Sequence, residues 1–175
     1  MVKSMSVSPE ARHWIEQLQL APHPEGGYYR ETYRAPLLLP QTALPGYRGG
    51  RAAATGIYFL LAGKDVSAFH RIRSDEMWHF YAGSGLAVHV LTSEGEHREI
   101  LVGRELEQGE QFQAVVPAGC WFGAALRRPT PENYALVGCT VAPGFDFADF
   151  EMARRMDLLA QYPRHRSIIE LLTRP

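Results

Sequence analysis

Short apolar runs separated by polar punctuation dominate this chain, and within them the hydrophobic period is close to two. Between residues 53 and 141 such runs fall at 53–61, 66–72, 77–81, 86–91, 97–101, 112–116, 121–126 and 134–141, with Gly, Asp, Ser and Pro between them. No helical period intervenes. The pattern predicts a succession of about eight short strands, and therefore a β-sandwich or small barrel. Residues 28–34 are aromatic and alternating, which adds an earlier strand. Before it, Ser8 and Pro9 precede Ala11, Trp14, Ile15 and Leu18 at helical spacing. A Ser cap with Pro in the first turn starts a helix there, over about residues 8–20, and Pro22 and Pro24 stop it. Glu25-Gly26-Gly27 reads as a turn, and residues 36–51, broken by Pro40, Pro45 and Gly49-Gly50, as an exposed loop. Past residue 141 the period changes. Asp149 is placed to cap a helix over 150–161, with Met152, Ala153, Met156, Leu159 and Ala160 on one face. Pro163 ends it, and a short helix is expected over 167–172.

The length of 175 residues fits one domain, 1–175, with its barrel at about 28–141 between helical flanks at 8–20 and 149–172. Eighteen Lys and Arg against nineteen Asp and Glu give a formal charge of -1, so no overall field draws the chain to nucleic acid or anionic lipid. No apolar run approaches the roughly 20 residues that span a bilayer, and residues 1–10 lack a signal-peptide core. Cys120 and Cys139 have no CxxC spacing. They read as small buried thiols of a reducing compartment, which makes a cytoplasmic location the expectation.

Candidate chemistry follows from strand parity, because residues two apart share a face. His70 and Ile72 point one way, and Glu76, Trp78 and Phe80 point together, while His79 falls on the opposite face. A narrow barrel with a polar interior is a natural small-molecule pocket. Its expected polar lining is His70, Glu76, Arg30, Thr55, Ser67 and Gln113, and its expected aromatic lining includes Trp78, Phe80, Trp121, Phe122, Phe145 and Phe147. Aromatic walls stack on sugar or base faces, and Arg30 offers a fork for phosphate or carboxylate. His70 suits a general base, because its ordinary pKa lies near neutrality, with Glu76, Tyr58 or Tyr81 as the opposing acid. His89, between Val88 and Val90, reads as the outward member of an alternating strand, and His13, His97 and His165 carry no signal.

The segments Ser67–Gly83 and 115–122 resemble the two sequence motifs of the cupins, and 22–32, 74–79 and 141–151 resemble a group of small single-domain cupins long labelled a domain of unknown function. The resemblance runs from about residue 18 to residue 163. It implies a mainly β protein, a double-stranded β-helix (cupin jelly-roll barrel) with N-terminal and C-terminal flanking helices, forming a homodimer and related in fold to sugar epimerases and isomerases. In the metal-binding members of the superfamily, two His, a Glu and a third His hold an ion. Here His70 and Glu76 match two of the four positions, and Ile72 and Phe122 stand at the others. A divalent metal (Zn, Mn or Fe) on His70 and Glu76 would need His79 turned inward by a bulge. Three functions are therefore expected: acid–base isomerisation or epimerisation of a sugar, sugar phosphate or nucleotide-sugar; a metal-dependent reaction; or non-catalytic binding of a metabolite.

Overall fold

A computed structural model describes residues 7–174. The first helix, α1 (Pro9–Gln17), begins where Ser8 Oγ accepts from the Ala11 amide at 3.2 Å. Thirteen strands follow: β1 (Ala21–Pro22), β2 (Tyr28–Arg34), β3 (Leu38–Leu39), β4 (Arg51–Ala52), β5 (Thr55–Ala62), β6 (Val66–Arg71), β7 (Asp75–Gly83), β8 (Leu86–Leu91), β9 (His97–Val102), β10 (Gln113–Val116), β11 (Trp121–Leu126), β12 (Tyr134–Ala142) and β13 (Glu151–Met152). Two short helices, α2 (Arg155–Gln161) and α3 (Arg166–Leu171), close the described chain.

The strands form two facing antiparallel sheets. One has the order β1-β2-β5-β12-β7-β10 and the other β13-β6-β11-β8-β9. Their inner faces interdigitate around Phe59, Leu61, Trp78, Val88, Phe122 and Val137. The chain is thus mainly β, a jelly roll with flanking helices. The outer faces are not left bare. Helix α1 lies over Leu60, Ala62, Tyr134 and Leu136 of the first sheet, and α2 and α3 set Leu158, Ile169 and Leu172 against Phe69, Leu91 and Trp121 of the second. Every position of β8 is buried for that reason, inner residues in the barrel core and outer ones beneath the helices.

Two expectations are corrected by these contacts. The helix expected over 150–161 starts only at Arg155, because Glu151 and Met152 pair with Arg71 and His70 of β6 instead. Asp149 caps nothing: both its oxygens accept from Arg51, at 2.7 and 2.9 Å. His89 is outward-facing but buried, with its Nδ1 3.0 Å from His97 Nε2 and the ring of His165 5.6 Å beyond that of His97. The loop at 36–51 is mostly exposed, though its ends meet as the β3–β4 pair.

One irregularity positions the site. In the β6–β11 register, His70 lies opposite Phe122 and Ser67 opposite Ala124, so three steps on β6 match two on β11. This β-bulge resets parity. Ser67 and His70, an odd number apart, both turn inward, and Phe69 goes out to the helices. Gly123 makes the bulge possible, since a Cβ there would stand 2.6 Å from the Ser67 carbonyl oxygen.

Candidate functional site in the barrel mouth

The turn after β1 folds back into the barrel. The His23 amide donates to the Gly27 carbonyl at 3.0 Å, Gly26 takes φ of 115°, and the Glu25 carbonyl accepts from the Ala68 amide at 2.9 Å. These contacts drive the Glu25 carboxyl into a cavity of about 470 Å³ whose floor includes His70, Ile72, Glu76 and Cys139. Tyr29, Ile57, Phe59 and Val141 wall it, and Phe145 and Phe147 stand at the rim. The size and the mix of apolar wall with few polar groups suit a small organic ligand.

The hydrogen bonds settle where the protons sit. His70 Nδ1–H donates to the Ala68 carbonyl at 2.8 Å, which leaves Nε2 as the free nitrogen. Nε2 stands 3.3 Å from Glu25 Oε2. His23 Nδ1 accepts from the Glu25 amide at 3.2 Å and lies 3.3 Å from the same Oε2. One carboxyl oxygen therefore faces two imidazole nitrogens that carry lone pairs, while Ser67 Oγ donates to the other, Oε1, at 2.8 Å. A proton on Oε2 resolves the contact. Burial acts in the same direction: it raises the Glu25 pKa and lowers those of His70 and His23. Burial thus favours the neutral forms of Glu25 and His70, which stand 3.3 Å apart as a buried acid–base pair.

Glu76 enters from the other sheet, on β7, with its register partners Val116 and Val141. Burial pushes its pKa up to about 7; a charge on His70 and the hydrogen bond with Cys139 oppose the rise, and a charge on Glu25 would add to it. Two acid–base units thus share one cavity, Glu25–His70 and Glu76.

The sign of the Glu76 shift gives a stability prediction. Below about pH 4.5 folded and unfolded chains both hold this proton. Between there and about 7 the folded chain keeps it and the unfolded chain releases it, so this group's contribution to stability falls as pH rises. Glu76→Gln keeps a neutral side chain at every pH. It is expected to match the native protein near pH 4 and to exceed it above pH 7 by up to about 3 kcal/mol in urea unfolding. Equal stabilities at pH 8 would show that Glu76 ionises without cost.

Not all the residues expected in the lining reach it. Thr55 and Phe147 line the cavity, and Ser67 stands behind Glu25. Arg30 sits at the rim with Nη1 donating to Gln19 Oε1 at 3.3 Å; the bulge between Glu31 and Tyr33 in the β2–β5 register also brings Arg34 to the mouth, where Glu31 pairs with it. Trp78 is fully buried in the barrel core below, and its Nε1 finds no partner among the described residues. Trp121 faces out under the C-terminal helices, with the Arg71 guanidinium 4.5 Å over its ring. Gln113 and His79 are on the outer face of the first sheet, where Gln113 donates to His79 Nδ1 at 3.1 Å and His79 Nε2–H donates to Thr140 Oγ1 at 3.0 Å. Tyr58 and Tyr81 pack edge to face on that same outer face, 5.9 Å between centroids, so neither serves as the opposing acid. No inward bulge brings His79 to His70 and Glu76. Ile72 and Phe122 fill the interior positions beside them, and among the described residues no three His, Cys, Asp or Glu side chains are grouped to hold one ion. The expected set of His70, Glu76 and His79 is therefore not assembled around one ion.

Sequence reading missed Glu25 and His23. Both lie in the Pro22–Thr32 segment that carried part of the resemblance, but as turn residues they have no strand parity to point them inward.

The two facing sheets, the mouth-closing N-terminal turn and the inward His and Glu define a cupin. The chain belongs to the family described as "Cupin superfamily (DUF985)", whose model matches residues 12–153. It is 33% identical to the uncharacterized protein YML079W of Saccharomyces cerevisiae, over 86% of this chain and 81% of that one. Among solved structures it is similar to protein SO0799 from Shewanella oneidensis, at 41% identity and TM-score 0.83 over 94% of this chain and 98% of that one. A hypothetical protein from Leishmania major matches at 36% identity and TM-score 0.85, over 96% of this chain and 99% of that one. Oxalate decarboxylase from Bacillus subtilis shares the fold alone, at 15% identity and TM-score 0.52 over 37% of its length. No helix among the described residues is long and apolar enough to cross a membrane.

Proposed function

We propose that this cupin binds a small hydroxylated metabolite, a sugar or sugar derivative, in the barrel mouth and moves a proton next to a carbonyl, as isomerases and epimerases do. The observation that carries the reading is the pair of buried acid–base units on opposite sheets, Glu25–His70 from the β6 side and Glu76 from β7. His70 Nε2 is the base that takes the substrate proton, and protonated Glu25 is the acid that gives one back; transfer of the proton from His70 to the Glu25 carboxylate then restores the pair. Glu76, with a pKa of about 7, is loaded or unloaded with equal ease near neutrality and serves the opposite face of the substrate. The apolar walls exclude water, which strengthens each of these contacts.

The test is exchange of substrate C–H hydrogen with D₂O, run on a panel of hexose and 6-deoxyhexose phosphates and their nucleotide conjugates. Exchange that disappears in His70→Ala supports the reading. A tightly retained small molecule without exchange on any member of the panel would replace it with that of a metabolite-binding protein.

A homodimer of this protein is also part of the reading. The outer face of the six-stranded sheet leaves Met77, Tyr81, Phe112 and Val115 exposed around the His79–Gln113 bond, and Val115 lies opposite Met77 in the register. Such a patch on a sheet with open edges calls for cover. Val115→Lys is expected to shift sedimentation from twice the 19.6 kDa chain mass to the chain mass itself. A native protein already at chain mass would end the dimer reading.

A further inference from the structure

A second concavity, also of about 470 Å³, lies behind the segment that closes the barrel mouth. Arg48, Arg71, Arg73, Asp149 and Glu151 line it, and Ile72 and Phe150 separate it from the first cavity. Phe150 packs 5.3 Å from the His70 ring on one side and faces this hollow on the other.

The charges here do not balance. Three lining guanidinium groups, of Arg48, Arg71 and Arg73, meet two lining carboxylates, of Asp149 and Glu151, a formal surplus of one positive charge, and Asp149 is also claimed by Arg51. Asp149 is used up by Arg51, which donates to both of its oxygens from a buried position. Arg73 is left with its Nε 3.5 Å from Asp149 Oδ1, too far for a good hydrogen bond. Glu151 is taken by Arg71 at 2.8 Å, and Arg71 is held in place over Trp121. Arg48 makes no side-chain ion pair among the described residues. Gly119 borders the hollow, and a Cβ placed on it would meet nothing within 4 Å.

We propose that this hollow is an oxyanion site, taking a phosphate or carboxylate group between Arg48 and Arg73, with Arg71 fixed as a third positive wall. A planar guanidinium fork matches both kinds of oxyanion and forms charge-assisted bonds to them. Asp149 and Glu151 do not repel the guest, because each already carries an arginine partner. The site lies outside the barrel. It does not depend on the acid–base reading of the first cavity.

The experiment is calorimetric titration of the full chain with inorganic phosphate and, in parallel, with succinate at low ionic strength. Saturable binding of one anion per chain is expected, weakened about tenfold or more by Arg48→Ala and by Arg73→Gln, since each removes a hydrogen bond to a charged group. Arg30→Ala, at the rim of the first cavity, is expected to leave it unchanged. Thermal unfolding of each variant shows that it is folded, and Arg48→Ala touches no ion pair of the fold. Preference for phosphate assigns the site to a phosphate-bearing ligand, and preference for succinate to a carboxylate. No saturable binding of either, or binding that survives both arginine replacements and is lost in Arg30→Ala, overturns the proposal.

Discussion

Replacing Glu25 by Gln is expected to lower C–H exchange by roughly 100- to 10,000-fold, as far as His70→Ala lowers it. The reason is the single shared proton. Glu25 Oε2 faces His70 Nε2 at 3.3 Å, and Nε2 is the only ring nitrogen left free, because Nδ1 donates to Ala68. The introduced glutamine can still accept from Ser67 through its carbonyl oxygen, so the local fold is kept. Its amide then takes the place of Oε2 and donates permanently to Nε2. The base is blocked, and no acid remains to reload it. Because the two residues act as one unit, the double variant is expected to fall no further than either single one. Exchange in Glu25→Gln within a few-fold of native would mean that Glu25 only shapes the pocket.

Gly26→Ala is expected to cost about 3 to 5 kcal/mol, from backbone strain and overpacking together. Gly26 has φ of +115°, a region that L side chains rarely adopt, and a Cβ there would lie 2.1 Å from the Val66 carbonyl oxygen. That oxygen is backbone within β6, so the turn must move, and Glu25 moves with it. Gly95 supplies the control. It has a similar φ of +87° but open space where the Cβ would go, so Gly95→Ala is expected to cost only about 1 to 2 kcal/mol of strain. Urea unfolding of the two variants separates strain from collision. Equal losses would mean that the turn is not wedged against β6.

Local patterns made much of the fold legible. Alternation placed β2, β8 and β11 at their observed bounds, and a Ser cap followed by Pro placed the start of α1. The same alternation gave an inward direction to His70 and Glu76, and both line the cavity. It failed where a distant partner changed the local rule. Trp121 packs outward because α2 and α3 give an apolar side chain shelter there too, so hydrophobicity did not mark the barrel interior. His89 is outward by parity yet buried by the same cover. The 150–161 helix lost its first turns because two of its residues found a strand to pair with.

Sequence by itself determined most of the elements, the mainly β class and the inward direction of His70 and Glu76, because period and capping depend on neighbours a few positions apart; the jelly roll followed from the family resemblance. Tertiary structure alone decided the chemistry. The β6 bulge that turns Ser67 and His70 inward together depends on Gly123 of another strand. Glu25 is an ordinary turn residue until its carbonyl binds Ala68 and its carboxyl is trapped between His23 and His70. Proton affinity follows from burial and from charges within a few ångströms. Those distances join residues far apart along the chain, and no local pattern encodes them.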